Sequence, residues 1–291
     1  MAIKLVAILL VLAACKTLPD MLRLRDFSWL HAWLEKIGQS SATVVLVVGV
    51  GLPTLVCAVL QAVLDHVLFG LIALVFSAFV LYFSWGPRDL ERDVEAAAKA
   101  PDSERRAVAL SALRGSDDAV STNPESLVEN VFAASLSRWF GVLFWFVVLG
   151  PAGALLYRLA QLIAWSPEFA HDASSTTTET ARRLAAILDW APAHLMALCL
   201  ALASNFDVVF KTWHDYHVAH GKGYFTLDLG FLAAIARASV DADVAAEDHE
   251  GAEAHNPAII LEDAMVLVRR VLVVWLTLIA LIVIGRVLAF I

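Results

Sequence analysis

Apolar residues in this chain come in long unbroken runs, not in the one-sided stripe of a soluble amphipathic helix. Residues 41 to 64 and 67 to 85 each approach the ~20 residues that cross about 30 Å of hydrocarbon. Only Asp65 and His66 separate them, so an antiparallel hairpin with a tight turn is predicted. A third run, Trp139 to Leu149, follows Pro124 and a polar stretch carrying Glu125, Glu129 and Asn130. Proline at a helix start and acids in the first turn are N-terminal signals. Gly150, Pro151 and Gly153 then interrupt the run, and Tyr157 and Arg158 lie beyond. A Gly-Pro-x-Gly removes a backbone donor and predicts a sharp kink or reversal. A fourth run, residues 184 to 203, holds Asp189, Pro192 and His194 at its middle. The last starts at Arg269-Arg270 and reaches Ile291.

The pattern predicts an all-α, polytopic helical membrane protein with about four to five membrane segments, two of them proline-interrupted. Residues 1–291 read as a single integral membrane domain. Residues 88–123 read as a cytoplasmic helical hairpin: Pro101 breaks the pattern, Asp102 or Ser103 caps the second helix and Gly115 ends it. Residues 205–265 read as cytoplasmic surface helices followed by an acidic linker at 241–255. The turn at Asp65-His66 has no Lys or Arg, whereas Arg88, Arg92, Lys99, Arg105, Arg106 and Arg114 follow Trp85. That asymmetry puts the hairpin tip outside and both of its ends in the cytoplasm, as in a multi-pass protein of the bacterial inner membrane.

Residues 3–15, IKLVAILLVLAAC, fit two descriptions. A short apolar core ending in Leu-Ala-Ala-Cys15 has the form of a lipoprotein signal. Lipidation at Cys15 would leave Lys16, Arg23, Arg25 and Lys36 on the outer side, against the positive-inside tendency. An uncleaved N-terminal helix is the expectation.

Composition narrows the function. The chain is 60% hydrophobic and 17% charged, against about 45–50% and about 25% for soluble domains. Its net charge is −8 and it has no basic cluster, so nucleic acid is not an expected partner; the lipid bilayer is, with a protein partner left open. Cys15, Cys57 and Cys199 lack metal or redox spacing and read as small buried hydrophobes. His214, His217 and His220 recur every three residues, but no cysteine or close acid completes a metal site, and none is expected. There is no phosphate-cradling G-x-x-x-x-G-K-[ST], no G-x-S-x-G and no H-E-x-x-H.

Chemistry is therefore sought at the two broken helices. Half-helix ends supply dipoles and free backbone groups, and ionisable residues at membrane depth are expensive to keep. The candidate ligand-binding residues are Glu125, Glu129, Asn130, Tyr157, Arg158 and Asp189. Glu125 and Glu129 share a helix face. On a straight helix Arg158 would lie roughly 44 Å from Glu129. A reversal at Gly150 would bring it back towards the glutamates, with the Pro192 segment as cover and Asp189 nearby.

Glu125-Ser126-x-x-Glu129-Asn130, Gly150-Pro151-x-Gly153-Ala154, Tyr157-Arg158 and Leu188-Asp189-Trp190-x-Pro192 together resemble the adenosylcobinamide-phosphate synthase (CobD/CbiB) superfamily. The likeness covers most of residues 40 to 290 and is nearer to the superfamily's AmpE branch. That branch implies an uncleaved N-terminal helix and an inner-membrane regulatory role linked to β-lactamase induction and cell-wall recycling. The synthase branch implies an amide-forming, ATP-dependent ligase of cobalamin biosynthesis, with Mg²⁺ and ATP as cofactors, acting through Glu125, Glu129, Asn130 and Arg158. Departures weigh against the synthase. Its Asn-Thr-Leu-Asp is Ala160, Gln161, Leu162 and Ile163 here, and its Pro-Ala-Arg is Pro192-Ala193-His194. The regulatory reading, without a cofactor, is the expectation; the ligase is the first alternative and a small-solute transporter built on the broken helices the second.

Overall fold

The computed structural model describes residues 2–17, 27–37, 41–64, 70–86, 89–114, 123–166, 175–221, 226–246 and 256–288. All of its regular elements are helices, and no strand occurs among the described residues. Four helices there are long and apolar enough to span a membrane: Ala42–Leu64, Glu125–Leu149, Ser175–Ala203 and Pro257–Gly285. They coincide with four of the five apolar runs. The run at 67–85 is represented by Leu71–Ser84, at 14 residues shorter than a span. The turn at Asp65-His66 lies outside the described residues.

The chain divides into two compact units, and each is taken by itself. One comprises Met1–Arg88, Gly141–Leu188 and Ile279–Ile291; the other comprises Asp89–Phe140 and Asp189–Leu278. Since three of the four boundaries fall inside long helices, the division is invisible in the apolar pattern.

The first unit contains α1 (Ala2–Thr17), α2 (Ser28–Ile37), α3 (Ala42–Leu46), a π turn (Val47–Gly51), α4 (Leu52–Leu64), α5 (Leu71–Ser84), α9 (Gly141–Leu149) and α10 (Pro151–Trp165). It is built around α10, which packs against α9, α4, α5 and the π turn and is buried along most of its length. Leu159 and Ile163 of α10 join Leu30, Val50, Ala181 and Ala185 in one apolar cluster. The helix is small where it must be approached closely: Ala152, Ala154 and Ala160 are buried, as expected where helices pack without water to drive them together.

The second unit contains α6 (Leu90–Ala98), α7 (Ser103–Arg114), α8 (Pro124–Ser135), a π turn (Leu136–Phe140), α12 (Phe206–Ala219) and α13 (Gly230–Ala246). The greater part of α14 (Pro257–Leu288) also belongs here. Helix α11 (Ser175–Ala203) contributes its second half. Helices α6 and α7 pack against each other, with Asp89 capping α6 through the Glu91 amide and Asp102 accepting from the Arg105 amide at 2.7 Å. Gly115 lies outside the described residues. The acidic stretch starting at 241 does not begin as a linker, because α13 continues to Ala246. Asp243 is held there by Arg270 at 3.1 Å, and residues 247–255 lie outside the described residues.

Candidate functional site

The interruption at Gly150 is a true reversal. On a continuous helix Gly141 and Tyr157 would be about 24 Å apart. Here a Cβ placed on Gly141 would lie 2.2 Å from the Tyr157 hydroxyl oxygen, and one on Gly153 would lie 2.3 Å from the Trp145 carbonyl oxygen. Helices α9 and α10 are therefore two arms of a tight hairpin. Gly150 turns it at φ +80° and ψ −157°, which penalises any residue with a Cβ. It also leaves no room for one, since the Gln61 amide nitrogen is 2.7 Å from the Cβ position. The break exposes the last carbonyls of α9. Lys4 of α1 caps them, its Nζ donating to the Val147 oxygen at 2.8 Å and lying 3.5 Å from that of Val148. A cation on the C-terminal carbonyls of a helix also complements the helix dipole.

The Leu188 carbonyl meets α9 in a specific way. Proline at 192 has no N–H for the Leu188 carbonyl four residues back. The indole Nε1 of Trp145 donates to that carbonyl at 3.0 Å. The cover at Gly150 itself comes from Gln61 and Lys4 of the same unit.

Glu125 and Glu129 converge at the head of α8, as a four-residue spacing requires. The cation that holds them is Arg237 of α13, at 2.7 Å from Glu125 and 3.4 Å from Glu129. Asp241, one turn further along α13, has its carboxyl pushed above its ordinary value. Desolvation is the main cause; Arg237 opposes the shift and Glu125 adds to it. Asn130 is buried, and its amide nitrogen has no hydrogen-bond partner among the described residues.

Tyr157 and Arg158 belong to the unit built on α10. Tyr157 is buried against Gly141, which must be glycine to admit the ring. The Arg158 guanidinium lies 6.0 Å from the centroid of the Phe27 ring and 3.6 Å from the Cβ position of Gly86, which holds φ +116°. Asp189 is buried in α11. His194 donates from Nδ1–H to the Trp190 carbonyl at 2.7 Å and packs against the rings of Trp190, Trp213 and Phe231. That aromatic setting suits a flat imidazole.

Two charged residues were not singled out by the sequence. Arg138, inside the spanning-length helix Glu125–Leu149, is buried with Asp93 at 2.7 Å, and it also donates to the Ala112 and Leu113 carbonyls at the end of α7. Arg237 sits in a stretch that reads as ordinary surface helix. A charge inside a membrane-length helix was the available signal for Arg138; nothing local signalled Arg237.

Both glutamates are engaged by Arg237, and among the described residues no three His, Cys, Asp or Glu side chains are grouped to hold a metal. His217 is buried with Nδ1 at 2.9 Å from the Trp213 carbonyl, and His220 makes the same contact with Tyr216 at 2.8 Å.

The model of the family described as CobD/Cbib protein matches residues 11–225, about three quarters of the chain. No curated protein and no solved structure matches it. The chain belongs to the CobD/CbiB family.

Proposed function

We propose that this CobD/CbiB family member is a membrane-embedded ligase-like protein of cobalamin biosynthesis, working on amide formation. The family match over residues 11–225 supports that class more than it supports a role in β-lactamase induction. The observation that carries the site is the convergence of Glu125, Glu129 and Arg237, with the unsatisfied Asn130 amide next in sequence to Glu129. Amide formation requires an amine to approach an activated carboxyl group and to lose a proton. Two carboxylates one helical turn apart suit the amine's side of that reaction, because they attract an ammonium group and can accept its proton. Arg237 holds them apart from other cations until such a group displaces it. Asn130 offers a donor to a carbonyl or phosphoryl oxygen. Arg158 is of the residue type that grips phosphate in two-pronged fashion, but it belongs to the other unit and is left out of this cluster. ATP would activate the substrate's carboxyl group by phosphoryl transfer, with ADP released and phosphate leaving as the amide forms.

A second reading, an AmpE-type regulatory protein of the inner membrane, is favoured by Ala160, Ile163 and His194. These stand where the synthases carry an amide, an acid and an arginine. One experiment separates the two. The chain is expressed in a strain lacking adenosylcobinamide-phosphate synthase, beside its Glu125→Gln/Glu129→Gln variant, with membrane insertion checked by blot. Cobalamin synthesis that depends on the two glutamates supports the ligase. No synthesis from inserted protein overturns it, and the effect of deleting the gene on β-lactamase induction then tests the regulatory reading.

A further inference from the structure

We propose that the N-terminal half of α12 is a membrane-surface anchor whose occupant is the lipid headgroup–acyl boundary, with Phe206 and Phe210 inserted into it. Helix α12 has one apolar side. Val209, Trp213 and His217 recur at intervals of four and are buried, with Trp213 and His217 against Phe231 of α13. Phe206 and Phe210 extend the same side towards the helix start. There the protein cover ends: Phe206 is 52% exposed and Phe210 39%. The two rings stack at 4.4 Å between centroids, and Phe210 lies 5.9 Å from Trp213. An aromatic ladder thus runs from the packed interior out to a bare end.

What lies next to that bare end identifies the occupant. Helix α11, of spanning length, ends at Ala203, and its last turns show Leu198 and Leu202 at 44% and 62% exposure. Apolar residues exposed on a spanning helix face acyl chains. Two residues later, at the Asn205 cap, α12 begins with Phe206. The exposed apolar surface therefore continues from a spanning helix directly onto a short helix. Asp207, Lys211 and Asp215 are exposed around the remainder of α12. Aromatic rings on one side and charged residues on the other are what a helix lying in the interface plane needs. A second copy of the chain would also cover two phenylalanines, but it would not explain their continuity with the lipid-facing end of α11.

The test uses the full-length protein in nanodiscs of phosphatidylethanolamine and phosphatidylglycerol. With Cys15, Cys57 and Cys199 changed to alanine, a nitroxide is attached at position 206, 210 or 215. Oxygen should relax the labels at 206 and 210 at least ~3-fold more than a water-soluble nickel chelate does, with the order reversed at 215. Nickel-favoured relaxation at 206 and 210 overturns the proposal. So does shielding from both reagents, or dipolar broadening from a second copy. A second arm keeps the native cysteines: in Phe206→Ser/Phe210→Ser, trypsin should cut at Lys211 about 5-fold faster in nanodiscs. An unchanged rate overturns it as well.

Discussion

The Trp145 indole nitrogen donates to the Leu188 carbonyl at 3.0 Å, the carbonyl that Pro192 leaves without its helical donor. A proline inside a long helix is tolerated when another group satisfies the freed oxygen, and here the donor comes from 43 residues upstream. Replacing Trp145 with Phe keeps an aromatic ring and removes the donor. That change is expected to cost about 1–2 kcal/mol, the penalty of an unsatisfied carbonyl. Pro192→Ala restores the backbone donor, so the loss should shrink by at least half in the double variant. Chemical unfolding in detergent measures all three, and additive losses would remove Trp145 from this role.

Arg138 and Asp93 predict a different pattern. Both are buried, and the guanidinium also closes the end of α7 through two carbonyls. Removing one partner leaves an uncompensated buried charge, which typically costs about 3–5 kcal/mol. Arg138→Met and Asp93→Leu are each expected to be that severe, and the double variant clearly milder than either. A double variant as damaging as the sum would show that the pair does not act as one.

Lys4 carries the prediction for the N-terminus. Its ammonium caps the carbonyls exposed where α9 stops, so Lys4→Met should lower the melting temperature while Lys4→Arg largely preserves it. The expected loss is about 1–2 kcal/mol, that of a hydrogen bond to a charged group. Cleavage at Cys15 would remove the cap altogether. Intact-mass analysis of purified protein should therefore find α1 attached, and a lipidated Cys15 as the first residue would defeat the expectation.

The sequence made the reversal legible because its cause is local: Gly150 for the backbone angle, Pro151 for the missing donor, Gly153 for close approach. The Asp102 cap and the apolar runs were legible for the same reason. Arg237 was not, since its attachment to Glu125 spans 112 residues and depends on how α13 packs on α8. The pairing of Arg138 with Asp93, 45 residues away, is hidden in the same manner. Spacing reveals neighbours only within one helix. The acidic stretch misled for a related reason. Like charges suggest a solvated linker, but Asp243 meets Arg270 from α14, and the helix continues through it.

The α6–α7 hairpin gives a topology test. Val108 is exposed on α7, and the positive charges around it favour the cytoplasmic side. A cysteine introduced at 108 should stay unlabelled by a membrane-impermeant maleimide in intact cells and react once the cells are opened. Labelling in intact cells would reverse the orientation.

Asp241 supplies the pH prediction. Its folded-state pKa is raised above the ordinary value of 3.8, mainly by desolvation. A carboxyl whose folded pKa is raised binds its proton more tightly when folded, so the folded state loses stability as pH rises between those two values. Above that window the full penalty is present, and below pH 3.8 none of it remains. Asp241→Asn mimics the protonated form, so it should raise the melting temperature near neutral pH. The advantage should fade as the pH falls into the carboxylate range. Arg237 sets the size of the effect, because it offsets part of the desolvation while Glu125 adds to it. In an Arg237→Gln background the pKa of Asp241 should rise further and the gain from Asp241→Asn should grow. Melting curves at neutral and acid pH, for the single and double variants, measure this. A gain that persists unchanged at low pH would mean that the asparagine acts through packing and not through the charge.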